Sequence, residues 1–106
     1  MGKLYDLQLE ATEWADRNFP GAKPYQPLLG AVEELGELAH SHLKMEQGIR
    51  VGENHLLKKK DAVGDIIIYL LHYCSLNKIN IEEALYDTWH DVKKRDWTNN
   101  KVDGRK

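Results

Sequence analysis

Cysteine is almost missing from this chain. Cys74 is the only one, so an internal disulfide is impossible and a reducing compartment is the simplest setting. It falls inside an apolar helical stretch, where packing rather than reactivity is its expected role. Long hydrophobic runs are missing too, and none could span a bilayer. The N-terminus, Met1-Gly2-Lys3-Leu4-Tyr5-Asp6, brings in charge too early for a signal region. Cytoplasmic residence, with no membrane partner, is therefore expected. Charge of one sign is lacking as well. Fifteen Lys and Arg against seventeen Asp and Glu leave a formal net charge of -2, so no broad basic surface points to a nucleic acid polymer. Strand-like alternation and internal repeats are absent.

What remains is helical. The 106 residues make one domain, and 42% hydrophobic with 30% charged residues is the balance of an ordinary globular protein. The first helix is expected from Leu4 to Arg17, with Leu4, Leu7, Ala11, Trp14 and Ala15 on its inner stripe. A Pro-containing loop follows. The second helix is expected from about Pro27 to Met45, closed by Gln47-Gly48. A polar connection with two glycines leads to the third, capped by Asn54 and ending near Asn77. Asn80 caps a fourth, with Glu82 and Glu83 in its first turn and Lys93, Lys94 and Arg95 in its last, as the helix dipole favours. Residues 98–106, rich in Asn, Lys and Gly, are expected to be a disordered tail after a domain spanning 1–97.

Four helices with short connections predict an all-α fold, a four-helix antiparallel bundle. The third helix is apolar nearly all round between Ile66 and Cys74. One small bundle exposes part of every helix, so a partner chain is expected to cover the rest, in a homodimer or homotetramer.

Two acidic clusters interrupt this apolar pattern. Asp65 heads the run Asp65-Ile66-Ile67-Ile68-Tyr69-Leu70-Leu71, expected to be interior, where an unpaired charge costs several kcal/mol or more. Upstream lies Glu33-Glu34-Leu35-Gly36-Glu37. On the second helix Leu28, Val32, Leu35 and Ala39 form the expected core stripe, with Glu33, Glu34 and Glu37 on the other side. Gly30 and Gly36 are poor helix formers with no propensity reason to be there, which suggests close approach of another element. On the third helix Asp61 and Asp65 stack at i, i+4, with Tyr69, His72 and Leu76 continuing their stripe and Val63, Ile67, Leu70, Leu71 and Cys74 opposite. The plain alternative is a solvated acidic face, with Asp65 paired to a lysine or arginine. Acids converging from two helices would instead suit a hard divalent cation, and oxygen ligands favour magnesium, manganese or calcium over zinc.

Glu33-Glu34-Leu35-Gly36-Glu37, about two dozen residues, then Asp61-Ala62-Val63-Gly64-Asp65 followed by Ile-Ile-Ile-Tyr-Leu-Leu, resembles the MazG-like all-α nucleotide pyrophosphohydrolases. The likeness runs from Glu13-Trp14 to Lys94-Arg95-Asp96-Trp97-Thr98. It implies Mg2+-dependent hydrolysis of a nucleoside triphosphate to monophosphate and pyrophosphate, with Mn2+ as a substitute, in an intertwined homodimer or homotetramer. By resemblance Glu33, Glu34 and Glu37 take the places of the family's first acidic motif and Asp65 the last acid of the second. The Glu usual in that second motif is Ala62 here. Asp61, one residue earlier, is the expected replacement, and the change leaves the number of metals open.

The expected metal ligands are thus Glu33, Glu34, Glu37, Asp61 and Asp65, with Glu33 and Glu34 catalytic and Glu33 activating the attacking water. Positive charge for the leaving phosphates is expected from Lys93, Lys94 or Arg95, with Lys60 as an addition. Tyr69 would hydrogen-bond phosphate or sugar. Trp97, Trp14 and Asn18 are the expected base contacts. No base-specific motif selects a nucleotide. Two rival readings differ in chemistry. Glu37-Leu38-Ala39-His40 and Asp87-Thr88-Trp89-His90 echo di-iron bundles, although His40 is expected on the core side. Ala62 is the feature that would suit a non-catalytic nucleotide-binding or adaptor protein instead.

Overall fold

A computed structural model describes residues 2–105; Met1 and Lys106, the outermost residues of the expected domain and tail, lie outside the described residues. Four α-helices follow one another: α1 (Lys3–Asn18), α2 (Tyr25–Gln47), α3 (His55–Leu76) and α4 (Ile81–Val92). Among the described residues there is no strand, and no helix is long and apolar enough to cross a membrane.

The helix ends follow local chemistry. The Asn54 side chain accepts from Leu57 N at the start of α3, and Asn80 accepts from Glu82 N and Glu83 N at the start of α4, as good N-caps do. Gly48 closes α2 in the left-handed conformation, φ 68°, which costs glycine little. The end of α4 is earlier than expected. Its last-turn basic residue is His90, Lys93 is the cap, and Lys94 and Arg95 lie beyond the helix. The Asp96 carboxylate accepts from Thr98 N and Asn99 N, giving the backbone a turn that competes with helix. Residues 98–105 run on through turns, with Asp96 N donating to Gly104 O at 2.7 Å.

Helix α2 packs along α3, α1 packs on α3, and α4 is held by α1. Buried Gln8 fastens α1 to the α3–α4 corner. Its Nε2 donates to Ser75 Oγ and Ile79 O (3.1 and 2.8 Å), while its Oε1 accepts from Ile81 N at 2.9 Å. Glu82 of α4 reaches the other end of α1 and accepts from Gly2 N and Tyr5 N, both at 3.1 Å. A carboxylate there satisfies donors that the first turn of a helix leaves free and favours its dipole.

The inner faces match the expected ones only in part: Ala15 and Leu71 are buried as expected, and most of the other expected core positions are not. On α2 the buried residues are Pro27, Ala31 and Ser41, whereas Leu28, Val32 and Leu35 are exposed at 41%, 59% and 56%. On α3 Ala62, Leu71 and His72 are buried while Val63 and Ile67 are exposed. On α1 the buried pair is Gln8 and Ala15, with Leu7 and Trp14 half-exposed. Apart from Leu71, which is fully buried, the buried residues of α1, α2 and α3 are small or polar, and many large apolar side chains are exposed. The radius of gyration is 17.3 Å, against about 13 Å for a compact domain of this length. One chain therefore makes a helical assembly without closing a core.

Gly30 explains how α2 approaches α3. A Cβ there would fall well inside van der Waals contact with the Tyr69 ring, whereas a Cβ at Gly36 would meet nothing. The close-approach argument therefore holds for Gly30 and fails for Gly36 within one chain. Gly30→Ala should displace Tyr69 and lower stability by about 1–3 kcal/mol, the usual effect of overpacking. Gly36→Ala should instead raise it by about 0.5–1 kcal/mol. Thermal denaturation of the two variants tests the contrast; equal shifts of the same sign would refute it.

Candidate functional site

Two cavities share a wall. The first, of about 670 Å³, is an open basin between α2 and α3 lined by Glu33, Glu34, Gly36, Glu37, His40, Ser41, Lys58, Asp61, Ala62 and Asp65. All five expected metal-binding carboxylates line it. The reason is helical register. Pro27, Glu34 and Ser41 lie at i, i+7 and i+14, so Glu34 sits midway along the face that α2 turns to α3. Asp61 and Asp65 face it from α3.

The electrostatics of the basin are one-sided. The Glu34 carboxyl is pushed above its ordinary range, first by desolvation and then by the charges of Glu37, Asp65 and Glu33. None of the five acids makes an ion pair or a side-chain hydrogen bond among the described residues. Lys58, the basic residue in the lining, is engaged elsewhere: its Nζ is 3.1 Å from Glu53 Oε2. That contact, with Arg50 and His55 nearby, holds the Glu53 carboxyl below its usual range.

Asp65 corrects the premise drawn from its apolar neighbours. It is exposed, because α3 presents it to the basin rather than to packed side chains, so burial exacts nothing from it in the single chain. Ala62 is the buried member of this motif, 4% exposed, and Asp61 beside it does reach the basin. His40 was expected on the core side but lines the basin, because that side of α2 is not the buried one. No group of three or more His, Cys, Asp or Glu among the described residues is arranged to hold a metal ion. Like charges at one mouth favour separation. The donor chemistry nevertheless fits a hard divalent cation: five carboxylates from two facing helices outnumber the His40 imidazole, and the Lys58 ammonium in the lining is paired with Glu53.

The second cavity, about 770 Å³, is more apolar and lies between the end of α1, the Phe19–Ala22 loop and α3. Trp14, Phe19, Pro27, Ile68, Tyr69 and His72 line it, with Gln26 at one side. Glu34 and Asp65 belong to both cavities. Trp14 and Phe19 meet edge to face at 5.7 Å. His72 is 8% exposed, and its Nε2 is buried without a hydrogen-bond partner.

Trp14 and Tyr69 are thus brought to the site. Asn18 is not in either lining; its Nδ2 donates to Trp14 O at 2.8 Å. Lys93, Lys94, Arg95 and Trp97 are also outside both linings. They follow α4, which is carried by α1, and Arg95 instead pairs with Asp91 at 3.2 Å. Trp97 lies against Gly104, whose added Cβ would crowd the indole. Lys58, Phe19 and Gln26 were missed by the sequence reading, and His72 was placed on the acidic stripe without a role. A signal was present for Lys58: Lys58, Asp61, Asp65, Tyr69 and His72 fall at i, i+3, i+7, i+11 and i+14, a single helical stripe. Comparison of the chain with models of protein families, with curated proteins and with solved structures gives no match.

The Glu34 shift has a pH consequence. Its folded pKa is raised, so its contribution to stability is present below the unfolded value and is lost as pH rises through the folded one. At neutral pH, without added cation, Glu34→Gln should therefore melt above the wild type, and the gap should close in acid. Mg2+ or Mn2+ should raise the wild-type Tm at neutral pH by binding the ionised acids, with the gain fading as they protonate. A cation-independent Tm would count against a metal site.

Proposed function

We propose that the chain is a divalent-metal-dependent nucleoside triphosphate pyrophosphohydrolase of the MazG-like kind. The observation that carries this reading is the junction of the two cavities: a basin of five carboxylates opens, through Glu34 and Asp65, onto an aromatic-lined pocket. A nucleotide has the same two ends, a polyanion that needs cations and a flat base that stacks on apolar and aromatic surfaces.

Glu34, Glu37 and Asp65 would hold Mg2+, or Mn2+ in its place, with Glu33 and Asp61 at the rim. The bound ion would supply neutralisation of phosphate charge and acidification of a water. Glu33 would take the proton from an attacking water as the water oxygen bonds to the α-phosphorus. The bond from α-phosphorus to the bridging oxygen breaks, and pyrophosphate leaves with that oxygen. Tyr69, one turn beyond Asp65, hydrogen-bonds the sugar or α-phosphate, while Trp14 and Phe19 wall the base pocket and exclude water. Buried Ala62 favours a second reading, binding without turnover, because it puts a methyl where the resembled family has a ligand.

The working unit is a homodimer or homotetramer. The accessible surface is 8108 Å², against about 6,100 Å² for a folded monomer of 12.3 kDa. The excess, roughly 2,000 Å² per chain, is what an obligate interface covers. Leu28, Val32 and Leu35 on α2 with Val63 and Ile67 on α3 are its apolar substance. The cytoplasm is the proposed location, where the half-buried Cys74, its thiol pKa raised by desolvation, stays reduced.

A panel of canonical and deoxynucleoside triphosphates with Mg2+ should release pyrophosphate from at least one member. Glu34→Gln and Glu37→Gln should each cut kcat on the order of a hundredfold or more, since metal stabilisation is worth several kcal/mol. Nucleotide binding with no turnover on the whole panel would favour the second reading, and wild-type rates in both variants would exclude this site. Sedimentation at micromolar concentration should give at least twice the chain mass, and Leu35→Glu should shift the population toward monomer.

A further inference from the structure

The expected phosphate-binding cations, Lys93, Lys94 and Arg95, do not reach the acid basin within one chain, and the basic side chain in its lining is Lys58. Lys58 lies in the first turn of α3, on the stripe that carries Asp65 seven residues on and His72 seven further. By the rise of an α-helix, Lys58 and His72 stand about 10 Å to either side of Asp65. The two ends differ in chemistry. His72 lines the aromatic pocket with its Nε2 buried and unpartnered, whereas Lys58 is about half exposed at the polar end of the basin.

We propose that Lys58 is the residue that receives the β- and γ-phosphates, so that the triphosphate lies along α3 with its leaving group toward the helix N-terminus and its base toward His72. This rests on the pyrophosphohydrolase reading and adds to it a direction and a phosphate-recognising side chain. Glu53 is the device that holds the Lys58 ammonium at the basin wall between substrates. Its carboxylate lies in the α2–α3 connection, 3.1 Å from Lys58 Nζ and 3.8 Å from Arg50 Nη1. Arg50 therefore keeps Glu53 paired when Lys58 leaves. An exposed pair of this kind is weak, and a triphosphate with about four negative charges is a stronger partner for an ammonium than one carboxylate. The exchange needs only rotation of the lysine stem, which has four carbons and several rotatable bonds. The positive end of the α3 dipole lies at the same end and favours the same direction.

The test is calorimetry with Mg2+ and two probes that need no turnover: a nucleoside monophosphate and the α,β-methylene triphosphate of the same nucleoside. The wild type should bind the triphosphate analogue at least about tenfold tighter. Lys58→Gln should lose most of that difference while monophosphate affinity stays within about twofold, and Lys58→Arg should restore most of it. Glu53→Gln should tighten the triphosphate analogue alone, by about twofold to fivefold. A Lys58→Gln protein that keeps the wild-type difference, or that weakens both probes equally, overturns the proposal while leaving wild-type turnover as support for the function. A wild type that neither binds nor hydrolyses triphosphates overturns both. Circular dichroism and Tm of each variant confirm that the fold is retained.

Discussion

The close contact of α2 with α3 decides most of what this chain can do. It is made with small residues: Ala31 and Ala62 are buried, Ser41 is buried beside them, and Gly30 gives room to the Tyr69 ring. Small side chains bring helix axes near each other. They also leave little apolar area in the contact, so the pair gains less from burial than a leucine seam would. What the arrangement provides is proximity of carboxylates. Glu34 lies on the contacting face of α2, and Asp61 and Asp65 answer from α3.

Proximity of like charges must be stabilised from outside the pair. Glu34 registers the strain, with its carboxyl held above its ordinary range by desolvation and by three neighbouring acids. The described ion pairs give no relief, because Lys58, the lysine in the basin lining, is tied to Glu53. The same division explains the outer faces. With small residues at the α2–α3 contact, Leu28, Val32 and Leu35 of α2 and Val63 and Ile67 of α3 are turned outward, Leu71 being the large apolar side chain that is buried, and the surface exceeds that of a compact monomer by roughly a third. Acid basin and apolar exterior are thus two sides of one packing choice.

The sequence revealed the helices better than their faces. Asn54, Asn80 and Gly48 marked ends that the structure keeps, since caps act within a few residues and need no partner. The stripes failed for a different reason. Hydrophobic periodicity says which side of a helix is apolar, not which side meets its neighbour within one chain. Leu28, Val32 and Leu35 were therefore read as core and stand exposed. The five acids were legible because register alone sets which side of a helix they occupy. Lys93, Lys94 and Arg95 were assigned by charge, and charge carries no information about where α4 docks. His72 was noticed without a role, because its unpartnered nitrogen is visible only once α1 and the Phe19–Ala22 loop close over it.

The cap that Glu82 places on α1 joins groups about eighty residues apart. By contrast α2 and α3 are linked by the short segment Gly48–Asn54 and assemble from nearby partners. Closing a long loop is slow and costs chain entropy before any contact repays it. On the ribosome the order is fixed further, because synthesis runs from the N-terminus. Of these four helices α1 is made before the others yet completed after them: its leading amides wait for a carboxylate that has yet to be translated.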